Sequence, residues 1–189
     1  MKVTDKWLER WEPCEYAVNF VKEKTKSRCE FEILNILIDN EWLVDANWFI
    51  VRRMTYKQYV KYACYAAKQV LPTFEKKYPY EKRPRKAIAA ALKCAKNPSK
   101  ENKTAAAHAA YAADAYAYAD ADAYADAAAY AAAHAAYAAY AADAADAAAH
   151  AAYAAYAADA ADAADAIKEM RLKILKYGIK LLKEKGVNK

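Results

Sequence analysis

Glycine, proline and closely paired cysteines are all scarce in this chain of 189 residues. Two glycines and five prolines supply too little turn-forming material for the hairpins of a β-rich fold. We therefore expect an all-α fold, a compact helical bundle with closely packed Ala-rich helices and an amphipathic C-terminal helix. The cysteines stand singly rather than in zinc or redox motifs, and we expect buried free thiols. They are Cys14, Cys29, Cys64 and Cys94.

Long apolar runs are also missing, and with them the signature of a membrane span or a signal peptide. We expect a cytoplasmic protein without membrane contact. The sequence contains no Gly-rich phosphate loop and no nucleophile motif, so we expect no enzymatic activity and no cofactor. Its three histidines, His108, His134 and His150, never pair at helical spacing, which favours hydrogen bonding between helices over a metal site.

Charge is divided sharply along the chain. Residues 105–166 contain nine aspartates and no lysine or arginine, so this Ala-rich tract carries −9 while the remainder carries +15. Because the chain contains its own counter-charge, the net charge of +6 is weak evidence for nucleic-acid binding. We divide the chain into an N-terminal helical region (1–54) and an Ala-rich helical bundle domain (55–189), which could also be one continuous domain.

The Ala-rich tract is built from alanine, tyrosine, aspartate and histidine alone. Alanine has the highest helix propensity, so we expect helix rather than disorder. One continuous helix would be about 90 Å long. We expect breaks where aspartate can cap a new helix, near 120–126, near 143–146, or at both. The alternative is a long helix that is supported by oligomerisation, so the sequence leaves open whether the chain forms a homo-oligomer.

Capping patterns predict several helix starts. Ser27 with Glu30, and Thr55 with Gln58, have the spacing of a capping box. A further helix is expected to begin at Pro13, preceded by Trp7, Leu8 and Trp11. Proline is expected to end or kink a helix at residue 72 and to open one at residue 84. Ser99 is the expected cap of the helix that enters the tract.

The connector between two Ala-rich helices carries a resemblance to a known family. The segment "YPYEKRPRKAI" and the upstream "ANWFIVRRM" resemble the putative immunity protein family, helical proteins of bacteria and phages. The matching connector residues are Tyr78, Pro79, Arg83, Pro84, Arg85, Lys86, Ala87 and Ile88. The resemblance implies a helical fold and a role in conflict between phage and host, by binding rather than catalysis.

Arginines beside aromatic residues are the candidate ligand-binding groups. Arginine binds phosphate or carboxylate bidentately, and aromatic rings can stack on a base. The alternative is ion pairing of these arginines with the aspartates of the tract. The candidates are Arg52, Arg53, Arg83, Arg85, Lys86, Trp48, Tyr65 and His108. Our first hypothesis is sequestration of a small anionic nucleotide-type immune signal. The second is neutralisation of a protein toxin or host defence factor, and nucleic acid is a weaker candidate partner.

Overall fold

The computed structural model describes residues 2–117, 123–140 and 164–184. Nine helices make up nearly all of this described part. They are α1 (Asp5–Trp11), α2 (Glu15–Lys24), α3 (Glu30–Asp39), α4 (Leu43–Arg53), α5 (Tyr56–Lys77), α6 (Arg83–Lys96), α7 (Lys100–Ala117), α8 (Ala123–Tyr140) and α9 (Ala164–Glu184). An isolated bridge joins Lys2 to Cys29. The expected all-α fold is confirmed.

Helices α5 to α8 form a closely packed group, and α9 lies against both α4 and α5. The largest fully buried side chains include Tyr62, Phe74, Leu34, Ile50 and Ile174. One buried cluster runs from Val3 to Leu182 through the described helices. The proposed boundary after residue 54 falls between α4 and α5, and the division there stays a prediction.

Three of the expected helix starts are confirmed. The capping box at the start of α5 is formed, with the Thr55 amide donating to Gln58 Oε1 at 2.9 Å. Pro84 is in the first turn of α6. Ser99 Oγ accepts a hydrogen bond from the Asn102 amide at 3.3 Å. Pro72 lies inside α5, which continues to Lys77, so it does not end the helix. The alternative, a kink at Pro72, stays a prediction.

Two expected starts near the N-terminus are wrong. Trp7, Leu8 and Trp11 belong to a helix of their own, α1, which Thr4 caps by accepting from the Trp7 amide at 3.2 Å. Glu12, in the left-handed region at φ 41°, ends α1, and α2 begins only at Glu15. No capping box forms between residues 27 and 30, because the Glu30 carboxylate binds Arg53 instead.

The Ala-rich tract is not a single helix. α7 ends at Ala117, α8 begins at Ala123, and the two pack against each other, so the tract is divided into separate helices near the first expected break, at 120–126. The other expected break, at 143–146, lies outside the described residues. In residues 131–139, where its side chains are described, α8 presents alanine methyl groups to its neighbours. The buried alanines there are Ala131, Ala132, Ala133, Ala135, Ala136, Ala138 and Ala139.

The four cysteines differ in how far they are buried. Cys64 and Cys94 are buried, as expected, but Cys29 is half-buried and Cys14 is exposed. The prediction of a buried thiol is therefore wrong for Cys14, because that residue precedes α2, a helix with no fully buried residue.

None of the described helices is long and apolar enough to cross a membrane. Within this part of the chain, no group of three or more His, Cys, Asp or Glu side chains is placed to hold a metal ion.

Candidate aromatic binding surface

The connector arginines are held by nearby glutamates. Arg83 binds both carboxylate oxygens of Glu81, at 2.9 and 2.6 Å, and Arg85 binds both oxygens of Glu75, at 2.6 and 2.5 Å. Each pair has the bidentate fork geometry that arginine forms with carboxylates. The pairs tie the connector to itself and to the end of α5, so each arginine has a glutamate partner. The aspartate side chains of the tract lie outside the described residues, and pairing with them stays a prediction.

Within each pair, the hydrogen bonds stabilise the charged forms of the side chains. The hydrogen bond from Arg85 lowers the pKa of Glu75, and the one from Arg83 lowers the pKa of Glu81. The Glu75 carboxylate in turn raises the pKa of Arg85. An incoming phosphate would have to displace a carboxylate from either arginine. Lys86, the third predicted cation here, is exposed on α6.

Arg53 points into the protein and forms a buried ion pair. Its Nε lies 2.9 Å from Glu30 Oε2, and the two side chains are only 8% and 5% exposed. The guanidinium carbon is 5.6 Å from the ring centroid of Trp7. This pair joins the end of α4 to the start of α3, which gives Arg53 a structural role.

Arg52, the preceding residue, lies between two tryptophan rings. Its guanidinium carbon is 4.0 Å from the ring centroid of Trp48 and 5.3 Å from that of Trp11. Its Nη1 donates to the Trp48 carbonyl at 3.0 Å. The three side chains are half-buried. Arginine stacked on tryptophan is a favourable cation–π arrangement, and here it joins α1 to α4.

A second aromatic group continues along the same side of α4. Trp42 stacks on Phe20 at 4.0 Å and contacts Tyr16 at 5.6 Å between ring centroids. The Tyr16 hydroxyl donates to Asp45 Oδ1 at 3.2 Å, and the negative charge of Asp45 together with this hydrogen bond raises the pKa of Tyr16. An open groove of about 310 Å³ runs past this group. Its lining residues are Tyr16, Glu41, Trp42, Leu43, Val44, Asp45 and Arg171.

These two groups lie on one surface, because Asp45, Trp48 and Arg52 are three and four residues apart and so share one side of α4. Tyr16 is 59% exposed and Val44 is 45% exposed, which is unusual for large apolar side chains. We call this surface the aromatic face. It consists of Trp11, Tyr16, Trp42, Val44, Asp45, Trp48 and Arg52.

The remaining candidates lie elsewhere. Tyr65 stacks on Tyr177, with ring centroids 3.9 Å apart and planes at 12°, where α5 meets α9. His108 is exposed on α7. None of the described contacts joins either residue, or the connector arginines, to Trp48 and Arg52. The structure therefore brings Trp48, Arg52 and Arg53 to the end of α4 and distributes the other candidates over separate surfaces.

Sequence reasoning did not find Tyr16 and Trp42. The signal for Tyr16 was present, because Tyr16 and Phe20 are four residues apart and thus neighbours on α2. Their meeting with Trp42 depends on how α2 folds back onto the turn before α4, and no local pattern encodes that contact.

Comparison with known proteins places this fold in a family. Searches of curated proteins and of solved structures returned no match. The family model described as "Imm-5 like putative immunity protein" matches residues 50–183, from α4 to the end of α9. This match covers well over half of the chain and includes the connector on which the sequence resemblance depends. The chain therefore belongs to the family of Imm-5 like putative immunity proteins.

Proposed function

We propose that this protein is a non-enzymatic immunity-type protein that acts by binding a protein toxin or defence factor through the aromatic face. Family membership supports the immunity-type role. The binding mode rests on one observation: tryptophan, tyrosine and arginine side chains lie together, partly exposed, along one side of α4. Those are the residue types that contribute most to the energies of protein interfaces.

The arrangement of the other arginines favours a protein partner over a nucleotide. Arg53, Arg83 and Arg85 already bind carboxylates. A nucleotide phosphate would gain one charged contact by breaking another, which leaves little net affinity. A protein surface can instead cover Tyr16 and Val44 and remove their apolar area from water without breaking an ion pair.

The test compares two exposed tyrosines. Tyr16 is 59% exposed within the aromatic face, and Tyr80 is 95% exposed on the connector. We would tag the chain and its Tyr16→Ala and Tyr80→Ala variants, capture partners from bacterial lysate, and titrate the purified partner. We expect a stoichiometric protein partner whose affinity falls about tenfold or more with Tyr16→Ala, as for a hot-spot residue, and stays unchanged with Tyr80→Ala.

Native and denaturing mass spectrometry of the purified protein distinguishes the nucleotide hypothesis. A mass excess equal to a nucleotide, lost on denaturation, would contradict the proposal and support sequestration of an immune signal. Equal effects of the two tyrosine substitutions would show that the aromatic face is not the contact surface.

A further inference from the structure

The seam between α5 and α9 contains the same residue pattern on both helices. Residues 61–68 read KYACYAAK and residues 173–180 read KILKYGIK. In each segment a tyrosine has one lysine four residues before it and another three residues after it. Residues at these spacings are neighbours on one side of a helix, so Lys61 and Lys68 flank Tyr65, and Lys173 and Lys180 flank Tyr177.

The fold joins these two patterns into one surface. The rings of Tyr65 and Tyr177 stack at 3.9 Å, and Gln58 donates to the Leu181 carbonyl. Because residue 58 meets residue 181 while residue 65 meets residue 177, the two helices run antiparallel. Lys61 therefore lies towards Lys180, and Lys68 towards Lys173. We call these four lysines and two tyrosines the lysine–tyrosine seam.

The seam is open to solvent and basic. All four lysines are exposed and the two tyrosines are half-buried. Lys176 and Lys183 extend the positive charge along α9, where a shallow groove of about 560 Å³ is lined by Lys176, Ile179, Lys180, Lys183 and Glu184. Among the described residues of that lining, Glu184 is the one carboxylate. No ion pair joins the four seam lysines to a carboxylate among the described residues.

We infer that the lysine–tyrosine seam is a second docking surface, whose partner is a protein surface rich in aspartate and glutamate. Four exposed ammonium groups around an apolar pair of rings match carboxylates around a small apolar contact. This surface is separate from the aromatic face, and its failure would leave the proposed function intact.

The geometry of the tyrosines favours protein over nucleic acid. Single-stranded nucleic acid binds by stacking bases on free aromatic faces. At a spacing of 3.9 Å and an angle of 12° the two rings already cover each other's inner faces, so no base can enter between them.

A poly-glutamate peptide serves as the probe in the test. The seam variant carries Lys61→Gln, Lys68→Gln, Lys173→Gln and Lys180→Gln. The matched control loses the same charge through Lys86→Gln, Lys93→Gln, Lys96→Gln and Lys100→Gln, which are exposed lysines of α6 and α7. Thermal melting checks that both variants fold; should the seam variant not fold, the pair Lys68→Gln and Lys173→Gln replaces it.

Calorimetric titration should show that the parent binds poly-glutamate, that binding weakens with salt, and that the seam variant loses about tenfold or more in affinity while the control loses little. Carbodiimide cross-linking should attach the peptide to the seam lysines before the control lysines. Equal losses in both variants would show only general charge attraction, and absence of parent binding would also overturn the inference. Tighter seam-dependent binding of a poly-thymidine oligonucleotide, or of phosphatidylserine vesicles, would assign the seam to nucleic acid or membrane instead.

Discussion

Gly178 on α9 lies directly against Tyr62 on α5. A Cβ atom built at Gly178 would be 2.7 Å from Tyr62 Cε2 and 2.7 Å from Ile50 Cδ1. Both side chains are completely buried, and the Tyr62 hydroxyl is fixed by a 2.8 Å hydrogen bond to Asn47 Oδ1. The missing side chain thus lets α9 approach α4 and α5 closely, immediately beside Tyr177 of the seam.

Gly178→Ala should therefore destabilise the protein even though alanine is the better helix former. The higher helix propensity of alanine would add about 1 kcal/mol to the free energy of unfolding. Forcing a methyl group into a packed core would lower it by about 1 to 3 kcal/mol. We expect a net loss of about 1 kcal/mol in the free energy of unfolding, measured by urea denaturation. Adding Ile50→Val removes one of the two clashing atoms and should recover part of the loss. A more stable Gly178→Ala protein would contradict the predicted close contact.

Removing one member of the buried Arg53 and Glu30 pair should be costly. Arg53→Met leaves the Glu30 carboxylate buried without its partner, and we expect a loss of about 3 to 5 kcal/mol in unfolding free energy. The double variant with Glu30→Leu should recover most of that loss, since it removes both charges. A double-mutant cycle by urea denaturation measures the coupling, and additive single effects would show that the pair does not interact.

The Glu75 and Arg85 pair predicts a dependence of stability on acid. Hydrogen bonding to Arg85 lowers the pKa of Glu75 in the folded state, so the pair stabilises the protein above the unfolded pKa of a glutamate, about 4.3. This stabilisation is lost as the pH falls through the lower folded pKa.

Thermal melting between about pH 6 and pH 3 tests this sign. On acidification, the melting temperature of the parent should fall further than that of the Arg85→Gln variant. Lys86→Gln, an equal charge change at the neighbouring exposed residue, should follow the parent. Identical acid profiles for parent and Arg85→Gln would contradict the prediction.

Thiol labelling should rank the cysteines by burial. Burial raises the pKa of the Cys64 thiol to about 12, and the reactive species is the thiolate. Cys14, which is exposed, should react with iodoacetamide in the native protein, while Cys64 and Cys94 should react only after unfolding. Peptide mapping by mass spectrometry locates the label. Rapid native labelling of Cys64 would show that α5 is not packed as described.

Signals confined to a few residues were the ones that could be predicted. The capping box of Thr55 and Gln58 and the helix start at Pro84 need only neighbouring atoms, and both are present. Ser27 and Glu30 have the same spacing in the sequence, but the Glu30 carboxylate binds Arg53, which lies 23 residues away along the chain. The Glu30 carboxylate therefore makes a contact between helices instead of a local cap, and that contact depends on how α3 meets α4.

Candidate site residues were harder to predict, because most of their contacts are with residues that are distant in the sequence. Trp48 and Arg52, both named as candidates, contact each other because they are one helical turn apart, and their role in binding stays a prediction. The roles of Arg83 and Arg85 depend on where Glu81 and Glu75 lie after the connector turns. The stack of Tyr65 on Tyr177 joins residues more than one hundred positions apart, and only the packing of α9 on α5 creates it.

The buried alanines of α8 have a consequence for how this protein can vary. Between residues 131 and 139 each buried alanine contributes one methyl group at a point where neighbouring helices pack, so a larger side chain in its place would force those helices apart. Substitutions that survive there should be confined to the smallest residues, whereas exposed stretches can change freely. At these alanine positions, a low-complexity sequence is therefore a constraint that close helix packing imposes.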